Sequence, residues 1–437
     1  MIRRVYIETY GCQMNVADSS LILGVLGRDG FVATDHPEDA DVLLVNTCAV
    51  RDNAEQRVFG RVGELQRFTR EGTVLGVVGC MAQRLGAELL TQVPRLDLVA
   101  GPDAYRELPD LIRQALAGDR VMDTGFRSWE HYEDVPPARE TGPMAFVTVQ
   151  RGCDYKCTFC IVPYTRGKER SRSLVEVVRE VEALAATGTS EVTLLGQTVN
   201  SYHDGTHDFG DLLRAVGAVD GVRRLRFTSP YPTDFTPGVI EAMVGTPAVC
   251  EHVHLPAQSG SNTVLRRMRR RYTRARYLEV VAELRAAMPG ITISTDLIVG
   301  FPGESEADFA ETLSLVDEAG FDEAYTFLYS RREGTPAVRI PGQVPEALGA
   351  ERLQRLIAHV RGQTRRRNAG RVGSVHEVLV ERPARRGGHL LGRTRSNLLV
   401  VLDLPADSIG EYRTVRLTGT TGSTFSGAVV APQLAVL

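Results

Sequence analysis

Three cysteines of this 437-residue chain stand close together in the run Cys153-Asp154-Tyr155-Lys156-Cys157-Thr158-Phe159-Cys160. Their x3 and x2 spacing follows an apolar, strand-like stretch over 144–150. Thiolates so spaced can converge on one iron–sulfur cube, because soft sulfur ligands suit such clusters. No fourth cysteine follows to complete a ferredoxin-like site, and three ligands for four irons leave one iron open to a small molecule. A zinc clip or a group of core thiols would use the same residue type. Zinc knuckles, however, favour Cys-x2-Cys pairs and four ligands.

A second set is scattered along the first part of the chain. The strand-like run 5–10 ends at Gly11-Cys12-Gln13-Met14-Asn15 and is followed by a helical pattern over about 19–28. The run 41–47 ends at Cys48, and the run 73–79 ends at Cys80, before Met81-Ala82-Gln83. Strands alternating with helices predict a parallel, doubly wound sheet whose strand C-termini share one edge. Three distant cysteines would then meet at one place, with Gly11 and Gly79 allowing close backbone approach. Singly, a cysteine after a buried strand is usually a core residue. Three at one topological position predict a second three-cysteine cluster with its own open iron. The seventh cysteine, Cys250, has no thiol neighbour in sequence and reads as a small buried side chain.

The elements that must position the first set come next. Residues 118–142 are polar and irregular, with Pro136-Pro137 near their end. They read as a linker wrapped over neighbouring surface, with Trp129 as its packing anchor. Ser173-Leu174-Val175-Glu176 has capping-box spacing and opens an amphipathic helix to about residue 187. Strand candidates at 145–150, 192–195, 225–228, 253–255, 292–299 and 324–328 alternate with helical patterns near 209–219, 237–244, 274–288 and 305–319. Six strand–helix units predict an open or partial barrel whose strand ends face one mouth.

Two arginine-rich runs lie in this part. Residues 163–172 could face the open iron and pair with a carboxylate or phosphate; a solvated charge run is the alternative. Residues 266–276 carry seven Arg in eleven positions, either a face for phosphates or a plain surface helix. Beyond residue 375 short strands at 375–381, 390–395, 398–402, 413–417 and 424–430 predict a small β-barrel. Its surroundings are basic: twelve Arg against three Glu between residues 351 and 400, within a chain of net charge −3. Arg365, Arg366, Arg367, Arg385 and Arg386 are the candidate RNA contacts, and Arg382, Arg393 and Arg395 add to a basic face.

No apolar run approaches the roughly 20 residues needed to span a bilayer. The N-terminus passes into a strand with no signal-peptide core. A cytoplasmic location is expected, where thiols stay reduced and open to metal.

The three-thiol loop, down to the aromatic Phe159 before its last cysteine, resembles that of radical S-adenosylmethionine (SAM) enzymes. The resemblance implies that the open iron chelates SAM. It also implies that Gly196-Gln197 belong to the loop holding the SAM amino group. Ser229, Gln258, Asp296 and Gly300, in small, polar or Gly-rich strand-end loops, would supply further SAM contacts. Thr9-Tyr10-Gly11-Cys12-Gln13-Met14-Asn15, Asn46-Thr47-Cys48-Ala49-Val50-Arg51, Gly79-Cys80-Met81-Ala82-Gln83 and the run from Arg151-Gly152-Cys153 resemble the methylthiotransferases, and within that family Gly196-Gln197-Thr198-Val199-Asn200-Ser201-Tyr202 is similar to the MiaB-type tRNA enzymes. The run Leu255-Pro256-Ala257-Gln258-Ser259-Gly260-Ser261 strengthens the match. Thr198 stands where relatives usually have Asn.

The resemblance covers nearly the full chain. It implies an N-terminal methylthiotransferase domain over 1–117, a linker over 118–142, a radical SAM partial (β/α)6 barrel over 143–370 and a TRAM β-barrel over 371–437. It further implies two 4Fe-4S clusters, one on Cys153, Cys157 and Cys160, and an auxiliary one on Cys12, Cys48 and Cys80 that carries the inserted sulfur. The implied reaction is 2-methylthiolation at C2 of N6-isopentenyladenosine beside the tRNA anticodon. The expected partners are tRNA, an electron donor such as a flavodoxin or ferredoxin, and a sulfur or iron–sulfur donor. No membrane partner is expected, and the chain is expected to be a monomer. Rival readings are a methylthiotransferase for threonylcarbamoyl-adenosine tRNA, one for a ribosomal protein side chain, and an RNA-binding iron–sulfur sensor. The sensor has no use for six strand–helix units and two open irons.

Overall fold

The computed structural model describes residues 2–49, 52–138, 142–385 and 387–430. The first unit is a six-stranded parallel sheet in the order Phe31–Ala33, Arg3–Tyr10, Val42–Thr47, Val74–Gly79, Leu98–Ala100, Val121–Asp123. The helices Gln13–Arg28 and Leu108–Leu116 cover one face with Leu21, Ile22, Leu26, Leu108 and Ile112. Val58, Val62, Met81 and Leu89 cover the other, so the sheet is doubly wound. The stretch expected to be irregular thus contributes the sixth strand, Val121–Asp123. The segment beyond that strand is anchored by buried Tyr132 and Val135. Trp129, expected as the anchor, is 72% exposed, because Tyr132 hydroxyl bonding to Pro102 O and Tyr105 N already secures the segment.

The second unit carries six parallel strands in two halves: Met144–Thr148, Glu191–Leu195 and Arg224–Phe227, then His252–His254, Thr292–Val299 and Glu323–Leu328. The halves meet at a single bridge, Leu225 to Val249, so the partial barrel is split where its shortest strand begins. Its helices start where the sequence predicts: the hydroxyls of Ser173, Thr236, Thr273 and Ser305 each accept from a first-turn N–H.

A 24-residue helix, Glu346–Ala369, joins this unit to a closed barrel of Val375–Pro383, Leu390–Thr394, Leu399–Leu402, Tyr412–Thr420 and Thr424–Val429. The small barrel docks against the starts of the parallel strands. Arg224, fully buried, donates to Arg393 O at 2.8 Å and Glu377 O at 3.0 Å. Arg226 donates to Thr394 O at 2.8 Å and Arg395 O at 3.0 Å. Arg395 returns the grip on Glu251 and on Val249 O at 2.7 Å. Arg395, expected on a basic face, is therefore spent inside the joint, and Arg393 pairs with Glu381 of its own barrel at 2.8 Å.

Candidate active site and its two thiol sets

The N-terminal set forms because three neighbouring strands end in register. Tyr10 is paired with Thr47, and Thr47 with Gly79, so Cys12, Cys48 and Cys80 stand at one edge. Gly79 has φ +93°, and a Cβ there would stand 2.5 Å from Asn46 Oδ1. Glycine is required. Asn15 and Asn46 knit these ends together: Asn15 Nδ2 donates to Asn46 Oδ1 and Thr47 O, both at 3.2 Å, and Asn46 Nδ2 to Asn15 O at 2.8 Å. Asn15 also receives the Cys12 thiol at 3.4 Å. The Cys12 thiol is pushed down to about 6, chiefly by the Cys48 thiol that donates to it, while burial pushes Cys80 up.

The barrel set sits on a loop closed by Gly152, whose φ is +77° and whose missing Cβ lies 1.9 Å from Lys168 O. Cys153 N donates to Gly167 O at 3.2 Å, and Cys153 Sγ meets Thr198 Oγ1 at 3.1 Å. Thr198, the departure from the usual asparagine, thus keeps a polar contact to the sulfur. Burial raises Cys153 and lifts Cys160 to about 12. These thiols hold their protons until a metal displaces them. Ile161, next to Cys160, packs on Ala49 and Cys80, so the two sets are neighbours.

Each set has a guanidinium on one sulfur. Arg166 Nε lies 3.2 Å from Cys80 Sγ, and Arg270 Nη1 lies 3.3 Å from Cys157 Sγ. Arg270 also stacks over Tyr231 and Tyr272. Sequence reasoning missed both roles. The run 163–172 does not face an open iron as a free charge cluster: Arg166 holds Asp18, Arg170 holds Asp103, and Arg172 donates to Thr148 O at 2.9 Å. In the run 266–276, Arg267, Arg274 and Arg276 are tied to Pro302 O, Glu318 and Glu283, while Arg266, Arg269 and Arg271 are exposed.

A cavity of about 840 Å³ runs the length of the parallel strands. Its mouth is bordered by Cys160, Ile161 and Gln13, the neighbour of Cys12, and its floor by Glu381, Arg393 and Asn397 of the small barrel. Ser229, Gln258 and Asp296 line it; Ser229 and Gln258 adopt φ of +59° and +67°. Asp296 pairs with His254 at 3.3 Å. Gly196, Gln197 and Gly300 stand outside the lining. Gly196 lies against Gln150 and Val199, and Gly300 turns toward Leu328 and Gly349. Gln197 Oε1 is buried, with no hydrogen-bond partner among the described residues. Cys250 is buried and remote from both sets, beside Arg226.

The residues present fit iron–sulfur clusters: each set offers three soft thiols with a cation to offset the charge of thiolate ligands.

Comparison with known proteins agrees domain by domain. The Radical SAM superfamily matches residues 147–316, the uncharacterized protein family UPF0004 residues 4–101, and the TRAM domain residues 370–430. A tRNA-2-methylthio-N(6)-dimethylallyladenosine synthase of Alkalilimnicola ehrlichii is 43% identical over 98% of this chain and 98% of its own. One of Porphyromonas gingivalis is 44% identical over 98% of this chain and 95% of its own. The chain belongs to this synthase family. A synthase of Carboxydothermus hydrogenoformans matches at 43% over 94% of the chain and 96% of its own. Solved structures share the fold alone. The radical S-adenosylmethionine methyltransferase TsrM of Kitasatospora setae gives a TM-score of 0.57 at 16% identity, covering 77% of this chain and 74% of its own. The cobalamin-dependent radical enzyme OxsB gives 0.56 at 12%, covering 82% and 56%.

Proposed function

We infer that the chain is a radical SAM methylthiotransferase that converts N6-isopentenyladenosine (N6-dimethylallyladenosine), beside the tRNA anticodon, to its 2-methylthio form. One observation carries the reading: Cys160 of the barrel set and Gln13, the residue after Cys12, line the same cavity, and Ile161, next to Cys160, packs on Cys80. An adenine C–H is too weakly acidic for a side-chain base, so the bound clusters and SAM supply the electron and radical that the reaction requires.

The chain's own residues bind and orient. Cys153, Cys157 and Cys160 hold the radical-generating cluster, and Cys12, Cys48 and Cys80 the auxiliary one. Ser229, Gln258 and Asp296 contact SAM from the cavity wall, and Gln197 belongs to the loop on the side of its amino group. Gly196 and Gly300 shape the loops around it. The walls Phe146, Phe159, Phe227 and Tyr329 keep water and quenchers from the reacting base.

Arg365, Arg366 and Arg385 are exposed and take RNA phosphates. Arg367 joins them while paired to Asp322 at 3.2 Å; Arg386 lies outside the described residues. A flavodoxin- or ferredoxin-type donor and a sulfur or iron–sulfur donor complete the reaction, in a reducing, cytoplasmic compartment. Among the described residues no helix is long and apolar enough to cross a membrane. The threonylcarbamoyl and ribosomal-protein readings have no observation in their favour.

The thiol sets separate in experiment. With iron and sulfide restored to each variant, Cys157→Ala abolishes 5′-deoxyadenosine formation from SAM. Cys48→Ala retains that cleavage and makes no methylthiolated nucleoside. Loss of cleavage in both folded variants contradicts the division of roles.

A further inference from the structure

We propose that Arg166, a residue of the barrel domain, raises the reduction potential of the cluster held by Cys12, Cys48 and Cys80 in the N-terminal domain. The inference rests on the ligand assignment above. Arg166 ends the short helix Val162–Arg166, which leaves the cluster loop and enters the neighbouring domain. Its Nε reaches Cys80 Sγ at 3.2 Å and its Nη2 reaches Asp18 Oδ2 at 2.6 Å. Arg151, also from the barrel domain, reaches the other carboxylate oxygen of Asp18 at 3.1 Å. The Tyr105 hydroxyl adds a hydrogen bond to Asp18 at 3.3 Å.

The charges do not balance. The side chains of Arg151 and Arg166 are 5% and 4% exposed, and Asp18 is fully buried. No other carboxylate pairs with either guanidinium among the described residues. Two buried cations on one anion leave a positive charge that water cannot screen, and such a charge is costly without a partner. The group it touches is the Cys80 sulfur. Thiolate ligation supplies the missing negative charge, and a cluster that gains an electron supplies more. A hydrogen bond to a ligand sulfur beside a fixed positive charge favours the reduced form. Because the donor comes from the other domain, the electrostatic environment of the auxiliary site is complete only when the two domains are docked.

The test uses the full-length chain with Cys153, Cys157 and Cys160 changed to Ala and reconstituted with iron and sulfide, so that one cluster remains. Its midpoint is read by a redox titration followed by electron paramagnetic resonance. Arg166→Met lowers the midpoint by at least about 59 mV, a tenfold change in the one-electron reduction equilibrium. Asp18→Asn, which removes the anion and leaves both guanidiniums, raises it. An Arg166→Met protein that retains iron at an unchanged midpoint overturns the proposal. Should that variant lose its iron, a midpoint unchanged or lowered in Asp18→Asn overturns it instead. A parent that binds no iron overturns the ligand assignment and this proposal with it, whereas a loaded parent without the shifts overturns this proposal alone.

Discussion

Glu169 sits beneath the cluster loop with its carboxylate on Ser201 Oγ at 2.9 Å, and burial lifts its carboxyl from 4.5 to about 7. A carboxyl with a raised folded value binds its proton more tightly folded than unfolded. Its contribution is therefore intact below about pH 4.5 and is lost as pH rises toward 7. Glu169→Gln removes this dependence. Chemical denaturation at about pH 5 and about pH 8 checks it: the variant gains on wild type at the higher pH. A wild-type advantage there contradicts the assignment. Cys250→Ser keeps the wild-type iron content, since Cys250 is 1% exposed and borders Arg226 rather than a thiol. A fall by a cluster's worth of iron would make it a ligand. Cysteine types and spacings can be read locally, which is why both sets are visible in the sequence. Arg166 and Arg270 act on sulfurs 86 and 113 residues away, and no local pattern marks such a contact.

Among the elements, the cluster loop depends on one glycine. Gly152→Ala places a Cβ against a backbone carbonyl at 1.9 Å, in a left-handed conformation, and a cost of at least about 2 kcal/mol falls on the loop. Iron content and thermal unfolding measure it, with Gly188→Ala as the control: its φ is +96°, but the space around it is open. Equal iron loss in both variants contradicts the clash. Elements with strong local signals, the strands ending in Cys and the capped helices, are readable from sequence. The helix Glu346–Ala369 is not, because most of its surface is polar and exposed, with only Leu356 and Val360 as large apolar side chains buried. The sheet's split is equally hidden, since its cause is the placement of a three-residue strand, His252–His254, rather than composition.

At the scale of the molecule, the basic run and the thiol sets lie at opposite ends of the barrel. Arg367 is tied to Asp322, at the start of the last parallel strand, while Cys160 borders the far mouth. The eight-residue strand Thr292–Val299 spans about 26 Å, so an RNA touching both must lie along the flank. Changing Arg365, Arg366, Arg367, Arg385 and Arg386 to Glu weakens tRNA binding. It also flattens the salt dependence, by about 0.9 log units for each phosphate no longer neutralised. Filter binding across a salt series measures this. Unchanged affinity and slope show that the RNA docks elsewhere. SAM cleavage without RNA survives the change.

The small barrel does more than carry surface charge. Glu381, Arg393 and Asn397 close the floor of the cavity, and Arg224 and Arg226 hold that floor to backbone carbonyls. Without it the chamber would be a pipe with two open ends. Solvent would then reach from behind the cavity that Cys160 borders. The small barrel is thus also the stopper of the cavity.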